Sequence, residues 1–444
     1  MTRLRRDTIA LVTTALCVVG YLAVALTDVV TIRYLLVTLV SGYLIAWAVY
    51  GLLSTVSRAE LITRLTLTTT SIIGCLVVAE SPALLRVVDY RAILGSFESE
   101  SPLSGAGRRA DHELLWRHDP YYRYEEAYQG NLGQALCVPP DPSRQIAVQY
   151  DRNGFRNSRD LEQADIVVIG DSYIEGYMTA EPLLVTSLLG QLQGKIVANL
   201  GHSGYGPQQE LVVLKRYGLP LRPQTVIWTF FEGNDFSDAE QYDKQRARAS
   251  DPVWQDVWYR SLTRNALART LRPAHRCTAP SSIEQFQAHF RDAHDNINPV
   301  FFAPSEVQPL SEDKVSQVVT YLAKAAMLCR ERNIRFIVAF IPEKYRVYHN
   351  LSNVQLSSDA LRSWQVAPLP EEMASRLNRL DLGIEYVDLT LPLRSASRKG
   401  IATYLPDDTH WTDAGNRVVA ERLDQALRSF SSQKQRPLQT RRSS

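Results

Sequence analysis

Two long uncharged runs open the chain. The first, TIALVTTALCVVGYLAVALT (8–27), holds 20 residues, and the second, YLLVTLVSGYLIAWAVYGLLSTVS (34–57), holds 24. At ~1.5 Å per residue, either helix reaches about 30 Å or more, the thickness of a bilayer's hydrocarbon core. A third run, LTLTTTSIIGCLVVA (65–79), is shorter and rich in Thr. It spans only if it begins near Leu61 and lets Arg64 snorkel to the interface. The pattern predicts three transmembrane helices, at about 8–27, 34–56 and 61–80, forming an anchor over residues 1–85. The first run is too long for a signal-peptide core, and a second span follows it without a cleavage site.

Beyond the anchor, the pattern changes twice. Residues 86–163 are rich in Tyr, Arg and turn residues, and predict short strands or hairpins packed beside a larger domain. From Ala164, apolar runs of strand length alternate with helix-period stretches. Candidate strands are 164–170, 195–201, 224–231, 334–342 and 384–390; candidate helices lie near 181–193, 207–217, 313–332, 370–380 and 413–430. Continuous Val/Ile strands with helices between them predict a parallel sheet covered on both faces, over about 164–431. The polar stretch 236–312 interrupts the alternation and reads as an insertion or lid with short helices. The tail, 432–444, has no acid and no apolar run and reads as disordered.

Charge adds an orientation. Arg3, Arg5 and Arg6 precede the first span, and Arg58 and Arg64 lie between the second and third. By the positive-inside rule the N-terminus is cytoplasmic, and three spans place everything after about residue 85 outside the cytoplasm. Two spans would reverse that. Overall, 49 basic residues nearly balance 47 acidic ones, which gives no footprint for nucleic acid. Cys329 reads as a buried thiol on the apolar side of a helix. Cys137 and Cys277 could pair in an oxidising compartment, which the sequence alone does not decide.

In parallel sheets the working residues gather at the C-terminal ends of the strands. Ser172 follows the first strand in GDSYIEG. Gly204 follows the second in NLGHSGYGP, Asn234 follows the third in EGND, and His410 precedes the last helix in PDDTHWTDAG. A serine nucleophile needs a base in reach, an acid to orient the base, and donors for the oxyanion. Each of these residues alone has an ordinary structural use: a helix cap for Ser172, turns for Gly204 and Asn234, helix entry for Asp407 and Asp408. Their order at successive strand ends points to catalysis instead.

These four blocks, in this order, resemble the SGNH (GDSL-type) hydrolase superfamily. The resemblance implies a flavodoxin-like three-layer α/β/α sandwich and an acyl-enzyme mechanism. In that mechanism Ser172 attacks, His410 acts as base, and Ser172 N–H, Gly204 N–H and the Asn234 side chain form the oxyanion hole. The family's commonest last block places its Asp three residues before the His, at Asp407. A second form, P-x-D-x-H-W, places it two before, and Pro406, Asp408, His410 and Trp411 fit that form, so Asp408 is preferred. IPEKYRVY (341–348) followed by DTHW is similar to the alginate-O-acetyltransferase-like branch of the superfamily. The implied function is a membrane-anchored esterase acting on acyl, chiefly O-acetyl, esters of an envelope glycan or lipid. The alternatives are O-acyl transfer to a polysaccharide, which would call for a membrane partner, and a non-catalytic glycan-binding or scaffolding module.

No cofactor or metal is expected. No Cys/His set has zinc spacing, His289 and His294 sit on a polar stretch, and GHSGYG lacks the third Gly of a dinucleotide loop. His202 reads as a surface-loop residue beside Gly204. Tyr173 and Glu175 follow the nucleophile, and Lys344 and Tyr345 could approach from the fourth strand end.

Overall fold

The computed structural model describes residues 32–85, 107–136, 144–249, 284–303 and 311–434, with isolated positions between 87 and 93 and between 260 and 266. The chain divides into two compact units, one formed by residues 1–100 and 248–275 and the other by 101–247 and 276–444.

In the first unit, helix α1 (Ile32–Leu53) and helix α2 (Arg58–Leu84) coincide with the second and third predicted spans. The first span, 8–27, lies outside the described residues. Among the described residues only α2 is long and apolar enough to cross a membrane, and the shorter apolar stretch Gly42–Leu53 lies in α1. The Thr-rich run thus has the length and composition of a span. Its hydroxyls are absorbed by the helix itself: Thr66, Thr68 and Thr69 each donate to the carbonyl four residues back, at 2.9, 2.7 and 2.7 Å. Ser57 caps α2, accepting from Glu60 N–H at 3.3 Å.

The second unit begins with two antiparallel pairs from the joining segment. Strands β1 (Arg108–Asp111) and β2 (Leu115–His118) form one hairpin. Strand β3 (Arg123–Ala127), helix α3 (Asn131–Leu136) and strand β4 (Gln145–Gln149) follow, and β3 pairs with β4. The main sheet then builds from β5 (Ile166–Gly170), followed by α4 (Ser172–Glu175) and α5 (Val185–Gln193). Next come β6 (Val197–Gly201), α6 (Pro207–Val213), β7 (Thr225–Phe231) and α7 (Asp235–Ala249).

A hairpin of β8 (Gln287–Arg291) and β9 (Ile297–Phe301) precedes α8 (Glu312–Arg330), β10 (Arg335–Ile341) and α9 (Lys344–Tyr348). Strand β11 (Val354–Leu356), α10 (Asp359–Ser363), α11 (Leu369–Arg379), β12 (Glu385–Asp388), α12 (Thr390–Arg398) and α13 (Asp413–Lys434) complete the unit. Within the stretch read as a helical insertion, the described residues thus include a long helix and a hairpin that joins β11 in a three-stranded sheet.

The five expected strands all form, and they pair in parallel in the order β12-β10-β7-β5-β6. This is the doubly wound arrangement, in which the chain direction across the sheet reverses between β5 and β7. The continuous apolar runs exist because both faces are covered. On one face, Ile166, Val168, Ile227, Ile337 and Ala339 pack with Leu188 of α5, Leu393 of α12, and Leu423 and Leu427 of α13. On the other, Val167, Ile169, Trp228, Phe230 and Val338 pack with Leu211 of α6, Leu322 of α8 and Met373 of α11. Gly170 pairs with Gly201 and Phe231 with Ile341, so the strand ends are flush and their loops share one rim.

Lys344, at the rim after β10, is buried at 1% exposure. Its Nζ donates to the carbonyls of Phe301 and Leu405, both at 2.8 Å, and of Pro406 at 3.4 Å. It therefore ties β9 to the loop before His410, where sequence reading had only a residue approaching the site. Tyr345 is turned elsewhere, donating to Leu361 O at 2.6 Å. Lys344→Met takes this donor from the Phe301 and Leu405 carbonyls, while Pro406 O keeps the Phe301 N–H at 2.9 Å. The substitution is expected to lower unfolding free energy by about 2–4 kcal/mol in a urea titration; a loss under about 0.5 kcal/mol would contradict the role.

Candidate active site

The side chain of Asp171, not Ser172, caps α4, accepting the Tyr173 N–H at 3.0 Å. The Ser172 hydroxyl is thereby free of capping. Its Oγ lies 2.7 Å from Nε2 of His410 and 3.4 Å from Oδ2 of Asp171. The loop before α13 brings His410 in. Nδ1 of His410 donates to Oδ1 of Asp408, and the His410 backbone N–H donates to the same oxygen at 2.9 Å. Ser172, His410 and Asp408 are all buried, Asp408 completely.

The other oxygen of Asp408 accepts the Asn131 backbone N–H at 2.7 Å and the Tyr128 hydroxyl. Both donors come from the joining segment, which sequence reading left out of the site. Burial alone would push the Asp408 carboxyl upward, but the facing His410 and the bonds from His410, Tyr128 and Asn131 hold it well below the usual range. Burial raises the Tyr128 hydroxyl well above its ordinary value, so it remains a donor.

Asp407 has a different set of partners. It pairs with Arg144 Nη1 at 2.5 Å and accepts the Gly130 N–H at 3.1 Å. Of the two candidate acids, the structure brings Asp408 to His410 and turns Asp407 toward the joining segment.

Gly204 and Asn234 stand at the ends of β6 and β7, on either side of β5 in the sheet. Gly204 has φ +74°, and a Cβ there would meet only Trp116, at 3.8 Å. Conformation, not space, therefore calls for glycine. The Asn234 side chain bonds to Asp171, while its Oδ1 is buried without a partner. Tyr173 packs on the imidazole, with ring centroids 4.7 Å apart, and its hydroxyl donates to Thr409 O at 2.5 Å. An imidazole hydrogen-bonded to a serine hydroxyl and backed by a buried carboxylate can take the hydroxyl proton as the oxygen attacks a carbonyl.

His202 is not a surface residue. It is 1% exposed, stacked on Tyr205 at 3.9 Å and on His118 at 4.4 Å. With Glu175, these two histidines are the one group among the described residues that is spaced for a metal ion, their ligand atoms lying within 4.8 Å of one another. His289 and His294 are not part of it. Cys329 is buried, and burial pushes its thiol up to about 12. Cys137 and Cys277 lie outside the described residues.

A group of electrostatically linked acids lies beside the nucleophile. Burial raises Asp171, and burial with the charges of its neighbours raises Glu210 and Asp235 well above the carboxylate range. Burial and the Asp171 charge push Asp238 up to about 8.

Two outcomes follow from this electrostatic layout. Asp408→Asn removes the acceptor that fixes the imidazole tautomer and is expected to lower kcat on p-nitrophenyl acetate by about 10⁴-fold. Asp407→Asn should cost less than about 10-fold; the reverse ranking would assign the acid to Asp407. Each raised carboxyl holds its proton to a higher pH in the folded state than in the unfolded chain. Their contribution to stability is therefore fully present below about pH 4 and is lost as pH rises through the folded value, about 8 for Asp238. Asp238→Asn should make the fall in melting temperature between about pH 5 and 8 shallower, and an unchanged slope would contradict it.

Residues 301–443 match the ALGX family, described as an SGNH hydrolase-like domain of the acetyltransferase AlgX. Over 93 residues the chain is 34% identical to the probable alginate O-acetylase AlgJ of Azotobacter vinelandii, a match covering 20% of this chain and 21% of that protein. The chain thus spans about a fifth of the length of this curated relative. Among solved structures, a GDSL-like lipase from Bacteroides thetaiotaomicron aligns at 14% identity and TM-score 0.29, over 60% of this chain and 88% of its own. A catalytic mutant of the acetylxylan esterase Axe2 from Geobacillus stearothermophilus aligns at 11% identity and TM-score 0.33, over 60% and 95%. The family match and the ordered motifs agree: the chain is similar to the SGNH hydrolase superfamily and, over residues 301–443, to its alginate O-acetylation branch.

Proposed function

We propose that this protein is a membrane-anchored serine esterase of the SGNH type, removing acyl groups, chiefly O-acetyl, from an envelope glycan or lipid. One observation carries this reading: the Ser172 hydroxyl lies 2.7 Å from an imidazole that a fully buried carboxylate holds from behind. His410 Nε2 takes the proton as Ser172 Oγ attacks the ester carbonyl. The Ser172 and Gly204 N–H groups and the Asn234 amide receive the oxyanion. His410 then protonates the leaving alcohol, and water, deprotonated by His410, releases the acid. Asp408 keeps the imidazole in the tautomer whose Nε2 accepts. Buried Asp–His–Ser contacts of this kind would be hard to explain in a non-catalytic glycan-binding or scaffolding module.

The anchor is read as three spans, with the sheet-bearing unit outside the cytoplasm. Helix α2 supports one of these spans by length and composition. Such a placement puts the site among envelope polymers.

Transfer is the second reading, favoured by the names of the relatives: an acetyltransferase AlgX domain and a probable alginate O-acetylase. The acyl-enzyme on Ser172 is common to both readings; they differ in whether water or a sugar hydroxyl accepts the acyl group. A transferase of this build would draw its acyl groups through a membrane partner.

Ser172→Ala is expected to lower turnover of p-nitrophenyl acetate by at least about 10³-fold. Unchanged turnover would sink the mechanism. Adding an oligosaccharide acceptor to the wild-type assay separates the two readings: hydrolysis yields free acetate at an unchanged rate, and transfer yields acetylated sugar.

A further inference from the structure

Glu175 lies three residues beyond Ser172, on the same short helix, and is 1% exposed. Its Oε2 accepts both the backbone N–H and the hydroxyl of Ser203, each at 2.5 Å. Its Oε1 accepts the Tyr150 hydroxyl and lies 3.1 Å from His118 Nε2. Four donors therefore converge on one side chain. Only a carboxylate can accept all of them, because an amide would turn its own N–H groups toward two of the donors. Ser203 immediately precedes Gly204, whose N–H is the expected oxyanion donor.

We propose that Glu175 is a positioning residue for the oxyanion side of the site, clamping the helix that carries Ser172 to the loop that carries Gly204. This rests on the esterase reading above. Three further observations support it. First, the two elements meet without slack: a Cβ at Gly201 would come within 2.3 Å of the Glu175 backbone N. Second, four rings wall the loop from behind. Tyr150 stacks on His118 at 4.1 Å, His118 on His202 at 4.4 Å and His202 on Tyr205 at 3.9 Å. Trp116 meets His202 edge-on at 4.2 Å and reaches the flank of Gly204. Third, the carboxylate stays charged. Burial pushes it upward, but His118 and the Ser203 bonds hold it well below the ordinary range. Burial and the adjacent His118 lower His202 far below its usual value, so that ring is neutral.

A metal ion is the competing use of this cluster. His118 Nδ1 and His202 Nε2 are buried without a partner, which would suit one. The ring geometry opposes it. A metal sits near the plane of each ligating imidazole, about 2.1 Å from its nitrogen. Rings stacked with planes only 18° from parallel do not aim their lone pairs at one point. Both Glu175 oxygens are also already engaged twice.

The test uses the full chain and p-nitrophenyl acetate, with kcat normalised to the folded fraction from thermal unfolding. Glu175→Gln should lower kcat by about 10²–10³-fold while KM moves less than about 3-fold, because oxyanion donors act in the transition state. Glu175→Asp should recover part of the loss, and Ser203→Ala, which keeps its N–H, should cost about 10-fold or less. If Glu175→Gln does not fold, Glu175→Asp and Ser203→Ala carry the test. Wild-type kcat per folded molecule in the glutamate variants would overturn the positioning role. So would equimolar bound metal, measured by elemental analysis, whose chelation abolishes activity. Ser172→Ala runs in parallel. An inactive Ser172→Ala beside an unaffected Glu175→Gln overturns the positioning role alone, whereas an active Ser172→Ala overturns the esterase reading as well.

Discussion

A charged carboxylate with no exposure to water must be balanced by donors on every side, and Asp408 is such a group. The cost of burying one ion is several kcal/mol when it stands alone. Two of its donors come from His410 beside it; the other two, Asn131 N–H and the Tyr128 hydroxyl, come from some 280 residues earlier in the chain. The joining segment is therefore part of the site. Asp407 reinforces the same contact through Arg144 and Gly130, and Lys344 fixes the loop from below. Most of the long-range architecture around His410 serves to hold one buried negative charge where an imidazole needs it.

The other side of the nucleophile follows a similar rule. Glu175 is buried and satisfied by four donors from β2, the residue after β4 and the loop after β6. Asp171 accepts from the Tyr173 N–H, the Ser172 hydroxyl and the Asn234 side chain, whereas both Glu210 oxygens and one oxygen each of Asp235 and Asp238 lack a hydrogen-bond partner. The Asp408 and Glu175 carboxyls are both held well below the usual range by their donors. Burial raises the carboxyls of Asp171, Glu210, Asp235 and Asp238.

The sheet was legible from the sequence because both of its faces are buried. Runs such as IVVIG and TVIWTFF have no polar face to confuse their period, and the register that aligns Gly170 with Gly201 places the motif residues on one rim. Ser172, His410, Gly204 and Asn234 were legible because each follows or precedes such an element. What a residue meets across the fold was not. The spacing of Asp407 and Asp408 allowed either acid, and only Arg144 and Tyr128, both distant in sequence, separate them. His202 read as a loop residue because nothing nearby announces that His118, Tyr205 and Trp116 enclose it. The hairpin at 287–301 was missed because its alternation is short and polar outside. The Thr-rich run looked the weakest of the spans, yet its hydroxyls bond to the helix's own carbonyls, which removes the polarity that hydropathy counts against it.

The central claim is that Ser172 is the group that becomes acylated. It is tested most directly by treating the full-length protein with a fluorophosphonate probe and locating the adduct by peptide mass spectrometry. The expected result is a single adduct on Ser172 that is lost in His410→Ala, because the hydroxyl needs that imidazole to give up its proton. An adduct on another residue, no adduct at all, or equal labelling of Ser172 without His410 would contradict it.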